Sequence, residues 1–322
     1  MNAATLEARV VKQAIQWMLR LQGNSDVELH AACEHWRAAH RDHELAWQRV
    51  NGLNQELQTG FHAVPTARVA LDTLENASQR LRRRQALKLL STVLVGGSAL
   101  WLSRDIAPWQ RLTADHGTRV GERRRVMLAD GSELQLNTDS AVNLRFDERQ
   151  RLLLLERGEI LVSTARDAHR PLRVRSRDGL FEALGTRFVV RQDDSSTRLS
   201  VSQGAVAIAP SGLGHSVAVA EAGQSYEVDA HGARLAQRPN MDSGAWAEGL
   251  IVTRDMRLAD FLAEVARYRH GHLGCAAEIA DLRLSGVFRL DDTNKLIDLL
   301  PQTLPVRVQR RTDWWITVEA RT

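Results

Sequence analysis

The stretch Leu89–Leu102 constrains this chain more than any other, because its 14 consecutive residues carry no charge. The rest of the chain is ordinary: 43% hydrophobic and 25% charged residues, as in folded domains generally. A bilayer core requires roughly 20 apolar residues in a helix. Extending the run back to Ala86 gives 17 residues, provided that Lys88 snorkels to the headgroups. Trp101 and Trp109 stand at the far end, where an aromatic belt is expected. Gly96-Gly97 would weaken a soluble helix but is tolerated in a membrane. The expectation is one transmembrane helix over residues 86–103.

Orientation follows from charge. Residues 1–85 hold eleven Lys and Arg, four of them at Arg80, Arg82, Arg83 and Arg84, just before the run. The positive-inside rule places 1–85 in the cytoplasm and 104–322 on the other side. Without that cluster the first 85 residues have seven basic residues against nine acidic, which argues against a nucleic-acid module. Within the cluster, Arg83-Arg84-Gln85-Ala86-Leu87-Lys88 has the form R-R-x-x-L-K of a twin-arginine export signal. Arg83, Arg84, Leu87 and Lys88 would be its signal residues; a plain topogenic charge cluster is the simpler reading.

Residues 4–80 have the pattern of an all-α head of four helices. Leu6, Val10, Ala14, Trp17 and Leu21 recur at helical spacing, and Gly23 ends the run. Ser25-Asp26-Val27-Glu28 opens a second helix as a capping box, with Leu29, Ala32, Cys33 and Trp36 on one face. Ala46, Val50, Leu53 and Leu57 mark a third, and Pro65 opens a fourth that reaches Leu81. Trp17, Trp36 and Trp47 are core aromatics first. Any that stay exposed would anchor a partner helix.

From Leu112 to Ala236 the pattern becomes short alternating runs separated by Gly-containing turns, an all-β domain built as a sandwich or layered stack. Residues 246–322 differ again. A strand at Leu250–Val252, a helix capped by Asp255 and a strand over 282–290 are followed by a helix capped by Asp292. Two last strands include Val306–Val308 and Trp315–Val318. This is an α+β unit made of a βαβ repeat, of a size that could fold alone, joined through a linker at 236–243. The expected division is thus 1–85, 86–103, 104–236 and 246–322.

Chemistry-bearing patterns are sparse. There is no nucleophile elbow, Walker loop, zinc-protease helix or dinucleotide fingerprint, so no enzyme and no cofactor are expected. The two cysteines, Cys33 and Cys275, fall in different parts and do not suggest a disulfide framework. Neither His30, Cys33, His35, His40 and His43 nor His270, His272 and Cys275 have the spacing of a metal module. Gly185-Thr186 is the one bond with latent reactivity: in a strained turn the Thr hydroxyl could attack the preceding carbonyl. An ordinary turn followed by a strand explains the same residues.

Taken together these parts resemble the FecR family of transmembrane sigma-factor regulators. The head carries W-R-x5-H-x2-A-W at Trp36-Arg37, His43 and Ala46-Trp47, without the proline common in the family near residues 41–42. The β-domain carries Leu128–Asn137 (LADGSELQLN), Glu156-Arg157-Gly158-Glu159 and Ala183–Val190 (ALGTRFVV). The last 75 residues look like the short domain shared by secretins and TonB-dependent receptors. The resemblance implies an anti-sigma factor in the bacterial inner membrane. Its head would hold an extracytoplasmic-function sigma factor through Trp17, Trp36, Trp47 and Leu53. Its outer part would contact the signalling domain of a TonB-dependent siderophore receptor. It also implies a twin-arginine translocon, stepwise cutting by envelope and intramembrane proteases, and, in some members, self-cleavage at the bond matching Gly185-Thr186. A receptor-side adaptor without sigma control is the alternative reading, and a membrane-anchored hydrolase is disfavoured by the missing nucleophile and carboxylate pair.

Overall fold

The computed structural model describes residues 8–21, 26–62, 114–167, 169–237 and 240–321. The chain divides into two compact units, residues 1–113 and 114–322.

In the first unit three helices are described: α1 (Ala8–Leu21), α2 (Val27–Ala39) and α3 (Arg41–His62). Asp26 caps α2, its carboxylate accepting from the Glu28 amide at 3.0 Å, which satisfies one of the free N–H groups of the first turn. Val10, Val11 and Ala14 of α1 pack with Ala46 and Val50 of α3 as a small buried core. Helical spacing picks out Val10, Ala14, Ala46 and Val50 of this core but not Val11, and Ala32, expected on the inner face of α2, is exposed. The expected fourth helix, 65–81, lies outside the described residues.

The second unit is dominated by a 13-stranded sheet. Strand β5 (Arg151–Ser163) is its spine. Its first half pairs with β4 (Ala141–Phe146) and, in parallel, with β6 (Leu172–Arg175). Its second half pairs with β3 (Glu133–Leu136) and β8 (Arg187–Gln192). The two halves meet at Gly158, whose φ of +85° lets the strand turn from one layer into the other. The layers extend through β7 (Gly179–Ala183), β10 (Ala205–Pro210) and β11 (Ala218–Glu221) on one side, and through β9 (Thr197–Gln203), β12 (Ser225–Asp229) and β13 (Gly232–Leu235) on the other. Two short strands, β1 (His116–Gly117) and β2 (Arg124–Met127), pair with β4 and β3. Strict alternation explains the closure: in β10, Val206 and Ile208 point inward and Ala205, Ala207 and Ala209 do not. Leu153, Phe181 and Ile208 of one layer share a core with Leu134, Phe188 and Leu199 of the other.

Within this β-domain the Leu128–Ser132 turn is fastened by a buried ion pair. Asp130 accepts from Ser132 N (3.0 Å) and Oγ (2.7 Å) and from Arg151 Nη1 (2.6 Å). Burial pushes the Asp130 carboxyl up, but the Ser132 and Arg151 hydrogen bonds outweigh it and hold it below its ordinary value.

The C-terminal part follows as β14 (Leu250–Arg257), α4 (Leu258–Ala266), β15 (His272–Cys275), β16 (Arg283–Arg289), α5 (Thr293–Thr303), β17 (Val306–Thr312) and β18 (Trp315–Ala320). β14 pairs with β16, and β15, β18 and β17 form a second small sheet. Asp292 caps α5 through the amides of Asn294 and Lys295, both at 3.1 Å. Asp255 does not cap α4. It sits at φ +53° in a bulge of β14, and the α4 cap position is Arg257, without a side-chain bond.

The expected fold class needs correction on one element. The proposed span, 86–103, lies outside the described residues, and no helix among the described residues is long and apolar enough to cross a membrane. The fold is five described helices together with a large, nearly closed β-sheet and a small α+β module. The physical weakness of the expectation is its length: 14 uncharged residues, interrupted by two glycines, fall short of the roughly 20 that a bilayer requires.

Candidate functional site

The sequence-predicted head residues gather at the α2–α3 elbow, where only His40, in extended conformation, separates the helices. Trp36 and His43 stack with centroids 4.5 Å apart and planes 8° apart, and His43 Nδ1 lies 2.9 Å from the Trp36 carbonyl. Arg37 donates to both Glu44 carboxylate oxygens, at 2.8 and 3.1 Å, with its guanidinium 5.5 Å from the Trp47 ring. Ala46 is fully buried, leaving no room for a larger side chain. The W-R-x5-H-x2-A-W spacing is therefore first a device for setting the elbow. Trp17 lies 6.4 Å from Trp36 with Arg20 over its ring. All three tryptophans are half-buried, and Val27 at the start of α2 is 80% exposed. Leu53 lies on α3. Arg83, Arg84, Leu87 and Lys88 lie outside the described residues.

Gly185 and Thr186 form the turn between β7 and β8. Gly185 has φ +78°. Thr186 is clamped by Thr164: its amide donates to Thr164 Oγ1 at 2.8 Å and its carbonyl accepts from the Thr164 amide at 3.0 Å. Gly204 approaches so closely that a Cβ there would stand 2.4 Å from the Gly185 oxygen. The Thr186 hydroxyl is buried without a hydrogen-bond partner among the described residues. His270 and His272 contact Trp314 (5.6 Å) and Trp315 (4.5 Å). No group of three His, Cys, Asp or Glu among the described residues could hold a metal ion.

A third cluster joins the β-domain to the C-terminal module and was not anticipated. Glu159 on β5 is 2% exposed and meets Arg267, just after α4, at 2.7 Å. Asn137 Nδ2 donates to the same carboxylate at 2.7 Å and to the Tyr268 hydroxyl at 2.8 Å. Glu264, the last acid of α4, bridges back: it binds Arg267 and, at 2.7 Å, Arg191 of β8. Arg191 also holds Asp193 at 2.6 Å. Burial works against ionisation of Glu264 and Arg267, and their pairing outweighs it. The Glu264 carboxyl is held below its usual range by Arg267 and Arg191 despite its burial. The Arg267 guanidinium is pushed up by Glu159 and Glu264. Burial, then the nearby carboxylates, push the Tyr268 phenol up, keeping it neutral. Arg267 also completes the α4 C-terminus, where a cation suits the helix dipole.

The rim and floor of this seam are ordinary protein. Arg123 donates to the Trp246 carbonyl at 3.0 Å and meets Asp291 at 3.2 Å. Thr138 Oγ1 donates to the Arg267 carbonyl at 3.0 Å. Leu161 and Val189 from the sheet belong to the same apolar core as Trp246, Phe261 and Leu262. The missed residues had one visible signal: Glu159 directly precedes Ile160-Leu161-Val162, an ionisable group at the head of a buried run. An isolated charge there is too costly to stand without a partner.

Comparison with known proteins agrees with the two motif-bearing regions. Residues 114–207 match the family described as FecR protein, and residues 12–53 match a domain of unknown function, DUF4880. A search among curated proteins found no match. Two crystal structures of a candidate anti-sigma factor from Parabacteroides distasonis, at 1.65 and 2.50 Å resolution, share the fold. They are 20% and 19% identical to this chain, each with a TM-score of 0.51, and the match covers 64% of this chain and 99% and 98% of theirs. Thus residues 114–207, within the β-domain, are similar to the FecR family, and residues 12–53, within the helical head, are similar to DUF4880.

Proposed function

We propose that this chain is a regulator of transcription that acts by holding a sigma factor on its helical head and taking its input through the unit formed by residues 114–322. The observation that carries the reading is the pairing, in one chain, of a DUF4880-like head with a FecR-like domain. The relatives in structure, described as candidate anti-sigma factors, support the same assignment. Physically, the head suits the task. Its described core is small, so much of its surface is open to a partner. Half-buried Trp17, Trp36 and Trp47 offer rigid aromatic contacts beside Arg37 and Arg20, and such residues dominate helical interfaces. A sigma factor seated there would bury the surface it needs for polymerase. The input partner in this reading is the signalling domain of a TonB-dependent receptor, and no catalytic step is required of the chain itself.

The test is co-purification of the full chain with extracytoplasmic-function sigma factors expressed beside it. One of them is expected to co-elute with the wild type, and Trp17→Ala should weaken it at least tenfold, the scale of one hot-spot residue. Failure of every such sigma factor to bind would remove the reading.

A further inference from the structure

The seam between the β-domain and the C-terminal module combines an apolar contact with a chain of ion pairs. Leu161 and Val189 of the sheet join the apolar core of the C-terminal module across it. Beside that apolar contact the seam buries two carboxylates, Glu159 and Glu264, and joins them to two half-buried guanidiniums, Arg191 and Arg267, in a continuous alternating chain. Asn137 and Tyr268 close one end and Asp193 the other. A buried ionic cluster contributes little net stability over an apolar one of the same size, because desolvation offsets the attraction. It does enforce one geometry, since every charge must find its partner. It also differs from an apolar seam in what happens on opening. The four charges regain water, which offsets part of the cost of exposing Leu161, Val189 and their apolar partners.

We propose that Glu159, Arg191, Glu264 and Arg267 form an ionic latch whose closed and open states are both accessible, and through which an event at the C-terminal module reaches the β-domain. In the closed state residues 114–322 move as one body. The chain between the domains cannot serve as a free hinge near its end: the Asn240 carbonyl accepts from the Arg254 amide at 2.7 Å and Met241 bridges Thr253. Opening therefore has to break the seam itself. The elements it would release are the second half of β5, which begins beside Glu159, the end of β8, which carries Arg191, and the C-terminal end of α4 with Glu264 and the following Arg267. This inference does not depend on sigma-factor binding, and it is tested without any partner.

The experiment is amide hydrogen exchange on the full chain, wild type against Arg267→Met and Arg123→Ala. Arg267→Met removes the cation shared by Glu159 and Glu264. Arg123→Ala removes only the rim contacts to Trp246 and Asp291 and strands no buried charge. In each variant, exchange within 157–162, 187–192 and 258–268 is expected to rise together, at least tenfold for Arg267→Met and about threefold for Arg123→Ala. Exchange within 172–183 and 306–320, away from the seam, stays as in the wild type. That pattern is sub-global opening of one cooperative unit. Unchanged exchange on both sides of the seam overturns the latch. So does a rise confined to one side, or a uniform rise in every segment of both variants, which means that the charges serve only to keep the unit folded. A cycle of Glu159→Gln, Arg267→Met and the double variant adds a second reading: strong non-additivity is required of a latch, and additivity overturns it.

Discussion

Gly158→Ala is the substitution that best tests how the β-domain is built. Two separate costs fall on it. The first is conformational: at φ +85° an alanine pays roughly 1–2 kcal/mol for the left-handed backbone. The second is steric. The new Cβ would stand 2.4 Å from Ser140 Oγ and 2.7 Å from both Asp139 O and Ser140 Cα. Two of those three atoms belong to the backbone, and the third is tied down, because Ser140 Oγ accepts from the Glu159 amide at 3.0 Å and donates to the Glu159 carbonyl at 3.1 Å. Overpacking of this kind costs about 1–3 kcal/mol, so the sum is about 2–5 kcal/mol. Gly185→Ala separates the two contributions. Its φ is +78°, nearly the same, but nothing lies within 4 Å of the added Cβ. It should lose only the first part, about 1–2 kcal/mol. Equilibrium urea unfolding of the full chain, followed by far-ultraviolet circular dichroism, measures both. With a slope of about 2–3 kcal/mol per molar, Gly158→Ala should lower the midpoint by about 1–2 M and Gly185→Ala by less than about 1 M. Equal shifts would refute the assignment of Gly158 as the point where β5 changes layers.

The Asp130–Arg151 pair makes two further expectations. Its side chains are only 3% and 4% exposed, so Arg151→Met strands a buried carboxylate and should cost about 3–5 kcal/mol in the same unfolding assay, while adding Asp130→Asn should restore a large part. The pH dependence follows from the sign of the Asp130 shift. Its carboxyl is held below the unfolded value of 3.8 when folded, so the stability it contributes is present above pH 3.8 and is lost as pH falls through the folded value. Arg151→Met should flatten the acid limb of a stability–pH profile, and an unchanged limb would show that other carboxylates govern it.

Much of the architecture is legible because its cause is local. Helical spacing at Val10, Ala14, Ala46 and Val50 reads out the head core, since these faces are set by a 3.6-residue period. Alternation at Val206 and Ile208 does the same for β10. Asp292 is found as a cap because capping depends on the next three residues. Asp255 looks identical in sequence yet is not a cap, because pairing of β14 with β16 continues to Arg257 and claims that backbone first. Tertiary pairing overrode a local preference. The same holds for Trp36 and His43. The spacing marks them as important, but their stacking on one another, rather than on a partner, depends on a one-residue elbow at His40 that no periodicity encodes.

The latch residues lie at the other extreme. Asn137 and Tyr268 are 131 residues apart in the chain, and Thr138 and Arg267 are 129 apart. No window that reads local pattern can connect them. What sequence does contain is a demand for a partner. Glu159 lies just before Ile160, Leu161 and Val162, in a strand buried along this stretch, and a carboxylate placed there must be paired or neutral. Arg191 follows Phe188-Val189-Val190 in the same way on the neighbouring strand. Arg191 reaches Asp193 within its own domain, but the other bond of its guanidinium, and the only cation on Glu159 among the described ion pairs, come from the end of α4. Two opposite charges that a domain places at its border and pairs across it are a record, in that domain's own sequence, of a second module packed on it. The β-domain of this chain is therefore electrostatically complete only with residues 264–268 in place, which is why the seam rather than the linker is the part of this molecule where the two can be coupled or released.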